Sequence, residues 1–261
     1  MDCIVLAGGR PAADDPLYPY TQGQLKAMLD IGGHSILERV LDALQSSKYI
    51  DRILVIGLES GSEEADRLHV SRPVSFLADQ GGLVSNALAG IAWMQRENPA
   101  ATSLMLCSSD IPCLTGEIVD AFVDLCRPFD HAVYYPVVTQ ETMEARYPGS
   151  KRTFVPIRPY RVAGGDVFIV DPSIADQNHE LWEALVSGRK HAWMLARAVG
   201  FGTLLKFLLR RLSVGDIEKI GLRLLSKPIK VVFSPYAELG MDIDKPNQFE
   251  LLTADLARIE H

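Results

Sequence analysis

The chain has 261 residues, 48% hydrophobic and 23% charged, with a formal net charge of −7. That is the make-up of a globular protein, long enough for one large α/β domain or one domain with an elaborate insertion. The acid excess argues against a generic nucleic-acid binder. No apolar run reaches the roughly 18–20 residues that span a bilayer.

The first predicted strand is Ile4–Ala7, an apolar run that reads as a buried parallel strand. Met1-Asp2 leads straight into it with no signal-peptide pattern, so a cytoplasmic location is expected. The run stops at Gly8-Gly9, where backbone amides can approach a ligand with no Cβ in the way. A polar loop starting at Arg10 carries one lysine, Lys26, ahead of a helix. A strand feeding a glycine turn, with a lysine nearby, is how α/β proteins hold phosphate. A plain tight turn is the competing reading. Neither G-x-G-x-x-G opening into a helix nor G-x-x-x-x-G-K-[ST] is present, which removes the dinucleotide fingerprint and the P-loop.

Ser35–Ser46 is predicted helical, with Ile36, Leu37, Val40, Leu41 and Leu44 on one face. Ser35 is its N-cap, and Glu38 completes a capping box. Strands follow at Ile53–Gly57, Val74–Ala78, Leu104–Cys107 and Ala132–Val138, with helices at Leu83–Arg96 and Glu117–Cys126. This alternation predicts a three-layer α/β fold, a mostly parallel sheet covered on both faces. Ligands in such sheets bind outside the carboxyl ends of the strands. Gly8-Gly9 and Asp110, each after a strand, are therefore expected to share one crevice.

The second half reads differently. Lys151–Gly165 carries Pro156, Pro159, Arg152, Arg158 and Arg161, and reads as a loop or edge hairpin. Gly164-Gly165 leads into a predicted strand Asp166–Val170. These glycines and Arg161 are expected to line the acceptor side of the crevice, with the arginines taking an acceptor phosphate; a surface hairpin with solvated arginines is the competing reading. From about Glu180 to Ser226 the pattern is helical, apolar and basic. Lys230–Phe233 returns to strand, and Pro246–Ile259 closes as a helix with Pro246 in its first turn. One domain over residues 1–261 is expected, with a helical insertion at about 175–228. In that insertion Phe201, Leu204, Leu205, Leu208, Leu209 and Leu212 recur at helical spacing beside Lys206, Arg210 and Arg211. The preferred reading is a subdomain packed on the sheet. A lid or homodimer contact comes second, and an interfacial helix for an anionic membrane surface third.

Three carboxylates stand out. Asp110 precedes Ile111-Pro112, so it is expected to project from a strand end into the crevice. Helix capping is the other reading, although Thr115 is better placed for it. Asp242 and Asp244 are two apart on an extended segment and point to one face. The alternative is that Asp244 caps the last helix while Asp242 is solvated. Like charges on one face repel unless a cation lies between them, and oxygen-only ligands suit Mg²⁺. Cys3, Cys107, Cys113 and Cys126 show no C-x-x-C spacing; the apolar contexts of Cys3, Cys107 and Cys126 indicate buried thiols, and no zinc site is expected.

Leu6-Ala7-Gly8-Gly9, then Lys26-Ala27-Met28-Leu29, then Gly32-Gly33-x-x-Ile36-Leu37-Glu38-Arg39 resembles the opening of the sugar-phosphate nucleotidyltransferases. The short LAGG form looks most like the molybdenum-cofactor guanylyltransferase (MobA-like) branch. Ser109-Asp110-Ile111-Pro112 resembles the family's aspartate-x-proline metal motif, and Asp242-Ile243-Asp244-Lys245-Pro246 its late metal-side motif. The resemblance implies a nucleotide-diphospho-sugar transferase fold of the GT-A or Rossmann-like kind. It implies that an acceptor phosphate attacks the α-phosphorus of an NTP and pyrophosphate leaves. Such chemistry needs positioning and charge neutralisation. Leu6, Ala7, Gly8 and Gly9 then form the nucleotide turn, and Arg10 and Lys26 stabilise phosphate charge. Asp110, Asp242 and Asp244 hold Mg²⁺. Asp79-Gln80-Gly81-Gly82 resembles the base-reading segment. Gln80 offers donor and acceptor to a base edge; a plain turn is the other reading. Asn86 either touches base or ribose or packs a helix start.

Arg10-Pro11-Ala12-Ala13-Asp14-Asp15-Pro16 departs from the family pattern, being longer, acidic and poor in glycine. Two other classes compete. A nucleotide-sugar-dependent glycosyltransferase of related fold normally shows Asp-x-Asp after the fourth strand, where this chain has Ser108-Ser109-Asp110. A catalytically impaired nucleotide-binding protein would explain the altered loop. NTP and a phosphorylated small molecule are the expected partners.

Overall fold

The structure, a computed structural model, describes residues 1–176, Trp182, Lys206 and residues 211–259. Its first half runs β1 (Asp2–Leu6), α1 (Tyr18–Thr21), a 3-10 turn (Lys26–Met28), β2 (Asp30–Ile31), β3 (His34–Ser35), α2 (Ile36–Ser46), β4 (Ile53–Ile56), α3 (Glu63–Asp66), β5 (Ser75–Leu77), α4 (Leu83–Glu97), β6 (Leu104–Ser108) and α5 (Gly116–Leu125). The second half follows with β7 (Val133–Thr139), α6 (Gln140–Arg146), β8 (Val155–Ile157), β9 (Tyr160–Gly164), β10 (Val167–Val170), α7 (Val214–Leu225), β11 (Ile229–Phe233) and α8 (Pro246–Ile259).

The sheet order is β5-β4-β1-β6-β10-β7-β9-β8, with β11 paired to β7. The β5-β4-β1-β6 half is wholly parallel, as the β-α-β rhythm requires. Alternation along β1 sends its side chains to opposite layers. Cys3, Val5 and Ala7 join the core cluster that holds Leu37, Val40 and Leu41 of α2 and Val119 and Phe122 of α5. Ile4 joins Ile91 and Met94 of α4 on the other face. Helix α2 starts as its sequence dictates. Ser35 Oγ accepts from Glu38 N–H, and the Glu38 carboxylate accepts from Ser35 N–H at 2.7 Å. Thr115 likewise caps α5.

The second half mixes orientations. β10 is antiparallel to both β6 and β7, β9 is antiparallel to β7 and β8, and β11 is parallel to β7. Residues 151–165 therefore form the expected edge hairpin, β8 with β9. Most of the predicted insertion, including Phe201, Leu204, Leu205, Leu208, Leu209 and Arg210, lies outside the described residues. Its end is described: α7 is capped by Ser213 and sets Val214 and Ile217 against Val231 of β11. No helix among the described residues is long and apolar enough to cross a membrane.

Candidate active site

Strands β1 and β6 are neighbours in parallel register, with Leu6 opposite Ser108. The chain continues past both at the same sheet edge, so Gly8-Gly9 and Asp110 leave side by side. Gly9 takes a φ of 118°, in the left-handed region that favours glycine. Its carbonyl accepts from Lys26 N–H at 3.3 Å, which ties the lysine to the glycine turn. A cleft of about 610 Å³ opens here. Of the sequence-selected residues, Leu6, Gly8, Gly9, Arg10, Lys26, Gly81, Gly82, Asn86 and Asp110 line it.

The carboxylates converge on the same corner. Ile243 N–H donates to the Asp110 carbonyl at 3.0 Å, which lays the late segment against the end of β6. One carboxylate oxygen each of Asp110, Asp242 and Asp244 lies within 4.8 Å of the others. An all-oxygen set of this kind can bind a hard divalent cation. Lys26 Nζ stands 2.5 Å from Asp110 Oδ2 and 3.2 Å from Asp244 Oδ1. Burial works against the Lys26 ammonium, but these two carboxylates outweigh it and hold its pKa above the ordinary lysine value. Ser108 Oγ donates to Asp110 Oδ1 at 2.5 Å. Asp244 therefore faces Lys26, and the Asp244 amide, not its side chain, meets Gln248 of α8 at 2.9 Å.

Other selected residues have different placements. Ala7 is fully buried. Gln80 turns its amide back onto the Ala78 carbonyl at 2.7 Å and does not line the cleft. Asn86 is buried and braces the loop, donating to Asp79 Oδ1 at 2.8 Å and accepting from Gln80 N–H at 2.7 Å. Arg10 lines the cleft while paired with Glu64 at 3.0 Å. Of the hairpin arginines, Arg158 and Arg161 are exposed. Arg152 instead turns inward and pairs with Asp242, both side chains being only 12% exposed. Gly164 and Gly165 lie beside Tyr135 and Pro136 and not in the cleft wall.

Sequence reasoning missed two residues and the inward turn of a third. Leu83 is 70% exposed in the cleft, although a leucine at a helix start carries no functional signal. Arg152 shares its local chemistry with Arg158 and Arg161, and nothing local says which of the three turns inward. As the start of a strand Asp166 carries no functional signal, yet burial and the nearby Asp110 charge push its carboxyl up to about 7.

A family model described as MobA-like NTP transferase domain matches residues 3–214. The chain belongs to that family. A hypothetical transferase structure from Thermus thermophilus is 31% identical, with a TM-score of 0.77 over 95% of this chain and 98% of that one. CMP:2-keto-3-deoxy-manno-octonic acid synthetase, solved in complex with CTP, is 12% identical, with a TM-score of 0.60 over 99% of both chains. The 4-diphosphocytidyl-2C-methyl-D-erythritol synthase of Anaerococcus prevotii is 13% identical, with a TM-score of 0.58 over 98% and 96% of the two chains. The last two share the fold. No curated protein matches the chain. As a MobA-like NTP transferase, this protein is a nucleotidyltransferase by family, and its cleft lies where the glycine turn and the carboxylates meet.

Proposed function

We propose that this MobA-like chain moves an NMP from an NTP to a phosphorylated small molecule, with Mg²⁺ at the Asp110-Asp242-Asp244 corner. The observation that carries the reading is the meeting of Lys26 with that carboxylate triad at the mouth of the glycine-turn cleft. An oxygen of the acceptor phosphate forms a bond to the α-phosphorus. The bond from that phosphorus to the bridging oxygen of the β-phosphate breaks, and the electron pair leaves with pyrophosphate. Both reactants are anionic, so the site must neutralise charge and hold them in line. The amides of the Gly8-Gly9 turn face the phosphates, and Lys26 can move from its carboxylate partners to a phosphate oxygen. Arg10 stands at the same cleft wall. Asp110, Asp242 and Asp244 would hold the cation, which when bound supplies positive charge to the phosphate oxygens. The loop Asp79–Gly82, latched by Asn86, together with exposed Leu83, forms the wall for the base.

The test is pyrophosphate release with each NTP, Mg²⁺ and a panel of phosphorylated acceptors. Release that requires both substrates and Mg²⁺ supports transfer. Transfer of a sugar from a nucleotide sugar, with no pyrophosphate from any NTP, would replace it with the glycosyltransferase reading.

A further inference from the structure

Asp166 is a half-buried carboxylate beside the triad to which the nucleotide reading gives no role. It sits where the sheet breaks step. Gly164 pairs with Val137 and Ile169 pairs with Tyr134, so residues 165–168 stand opposite Tyr135 and Pro136 alone. Such a bulge bends the strand and re-aims side chains. Pro136 has no N–H to give to a ladder, so it tolerates the break. The bulge is nonetheless well held. Gly165 N–H donates to Pro136 O at 2.9 Å, Asp166 N–H to Leu239 O at 2.8 Å, and Ser108 N–H to Asp166 O at 2.8 Å. Asp166 is thereby fixed level with Ser108, two residues before Asp110.

Among the described residues, two polar atoms in this neighbourhood are buried without a hydrogen-bond partner. One is Asp166 Oδ2, an acceptor; the other is Arg152 Nε, a donor. Arg152 spends an Nη on Asp242, so its Nε is left over. Tyr135 adds a hydroxyl. It stacks on Phe168 at 5.4 Å between ring centroids, and a Cβ on Gly164 would lie 2.1 Å from its oxygen. Only glycine lets that hydroxyl sit there. Orphaned buried groups are rare and costly, and a ligand that completes them recovers the cost. A hydroxyl answers both, because it donates and accepts. A further anion does not, since among the described residues the carboxylates of Asp110, Asp166, Asp242 and Asp244 in this corner face only Lys26 and Arg152 as cations.

We propose that Asp166 is a specificity-determining residue on the acceptor side: its Oδ2 takes a hydrogen bond from an acceptor hydroxyl beside the reacting phosphate, and Arg152 Nε–H donates to an oxygen of the same group. The inference rests on the nucleotidyl-transfer reading and adds to it a residue that selects hydroxylated acceptors. A polar site built for a hydroxyl rejects the analogue lacking it far more strongly than an apolar pocket does.

The probes are glycerol 3-phosphate, α-D-glucose 1-phosphate and myo-inositol 1-phosphate, with propyl phosphate as the hydroxyl-free comparison. Binding is measured by calorimetry with Mg²⁺ and a non-hydrolysable NTP analogue, and pyrophosphate release is followed in parallel with NTP. Asp166→Ala and the near-isosteric Asp166→Leu both remove the accepting oxygens, and the second guards against a cavity artefact. The expected result is a wild-type preference of at least about tenfold for one hydroxylated phosphate over propyl phosphate. Both variants erase it while KM for NTP stays put. Variants that keep the preference, a wild type that prefers propyl phosphate, or a wild type that binds no hydroxylated phosphate overturns the inference; in the first two cases, pyrophosphate release leaves transfer standing. Asp166-dependent binding with no pyrophosphate release in any pairing sinks transfer and keeps the subsite.

Discussion

The Lys26 ammonium rests 2.5 Å from the Asp110 carboxylate, joining the loop after β1 to the end of β6. Arg152 does the same for Asp242. Every carboxylate of the triad is thus paired with a side-chain cation, Asp244 through its contact with Lys26. A divalent cation bound at the triad would compete with these two groups, and Lys26 would then be free to face phosphate.

Asp110→Asn should abolish Mg²⁺-dependent pyrophosphate release and weaken Mn²⁺ binding measured by electron paramagnetic resonance. Its melting temperature should stay close to wild type, because Asn fits the same space and Lys26 keeps Asp244 as its partner. Near wild-type turnover would remove Asp110 from the metal site.

Lys26→Ala should lower turnover by about 10²–10³-fold, the scale of one lost charge-stabilising contact in a transition state. The carboxylates it leaves behind are less neutralised, so Mn²⁺ should bind at least as tightly as before. An unchanged rate would show that Lys26 only balances charge.

Arg152→Gln leaves Asp242 buried without its cation, which typically costs about 3 kcal/mol. Urea melts in EDTA should show that loss. Added Mg²⁺ should restore more stability to the variant than to wild type, since the ion replaces the missing charge. Equal gains in both proteins would argue that Asp242 is not a ligand.

Asp166 supplies a pH test. Its folded pKa, about 7, lies above the ordinary carboxyl value, so the folded state holds this proton more tightly than the unfolded chain. The cost of ionising it is present above pH 7 and fades as pH falls toward 4. Asp166→Asn should therefore raise the melting temperature at pH 8 in EDTA and change it little at pH 4.5. A variant equally or less stable at pH 8 would contradict the burial argument.

Much of the first half was legible. The capping box Ser35–Glu38, the cap at Thr115 and the alternating rhythm are all written within a few residues, where helix ends and strand periods are decided, as is the first-turn Pro246 of the last helix. The glycine turn and Asp110 could be placed at one sheet edge because parallel β-α-β connections leave little choice. Arg152 could not be told from Arg158 and Arg161, since all three lie in one hairpin region with the same local chemistry. Nor does any spacing announce that the Gln80 amide folds onto the Ala78 carbonyl of its own loop.

The sequence by itself determined the class of fold, the family motifs and the three candidate metal carboxylates, because these depend on short periods and short spacings. Only the tertiary structure decided which charges meet. Lys26 and Asp244 are 218 residues apart in the chain. The antiparallel path of β9 and β10 brings Asp166 level with Ser108, beside the triad. That path has no local signal, since strand pairing is set by which apolar faces and backbone groups find partners across the whole sheet.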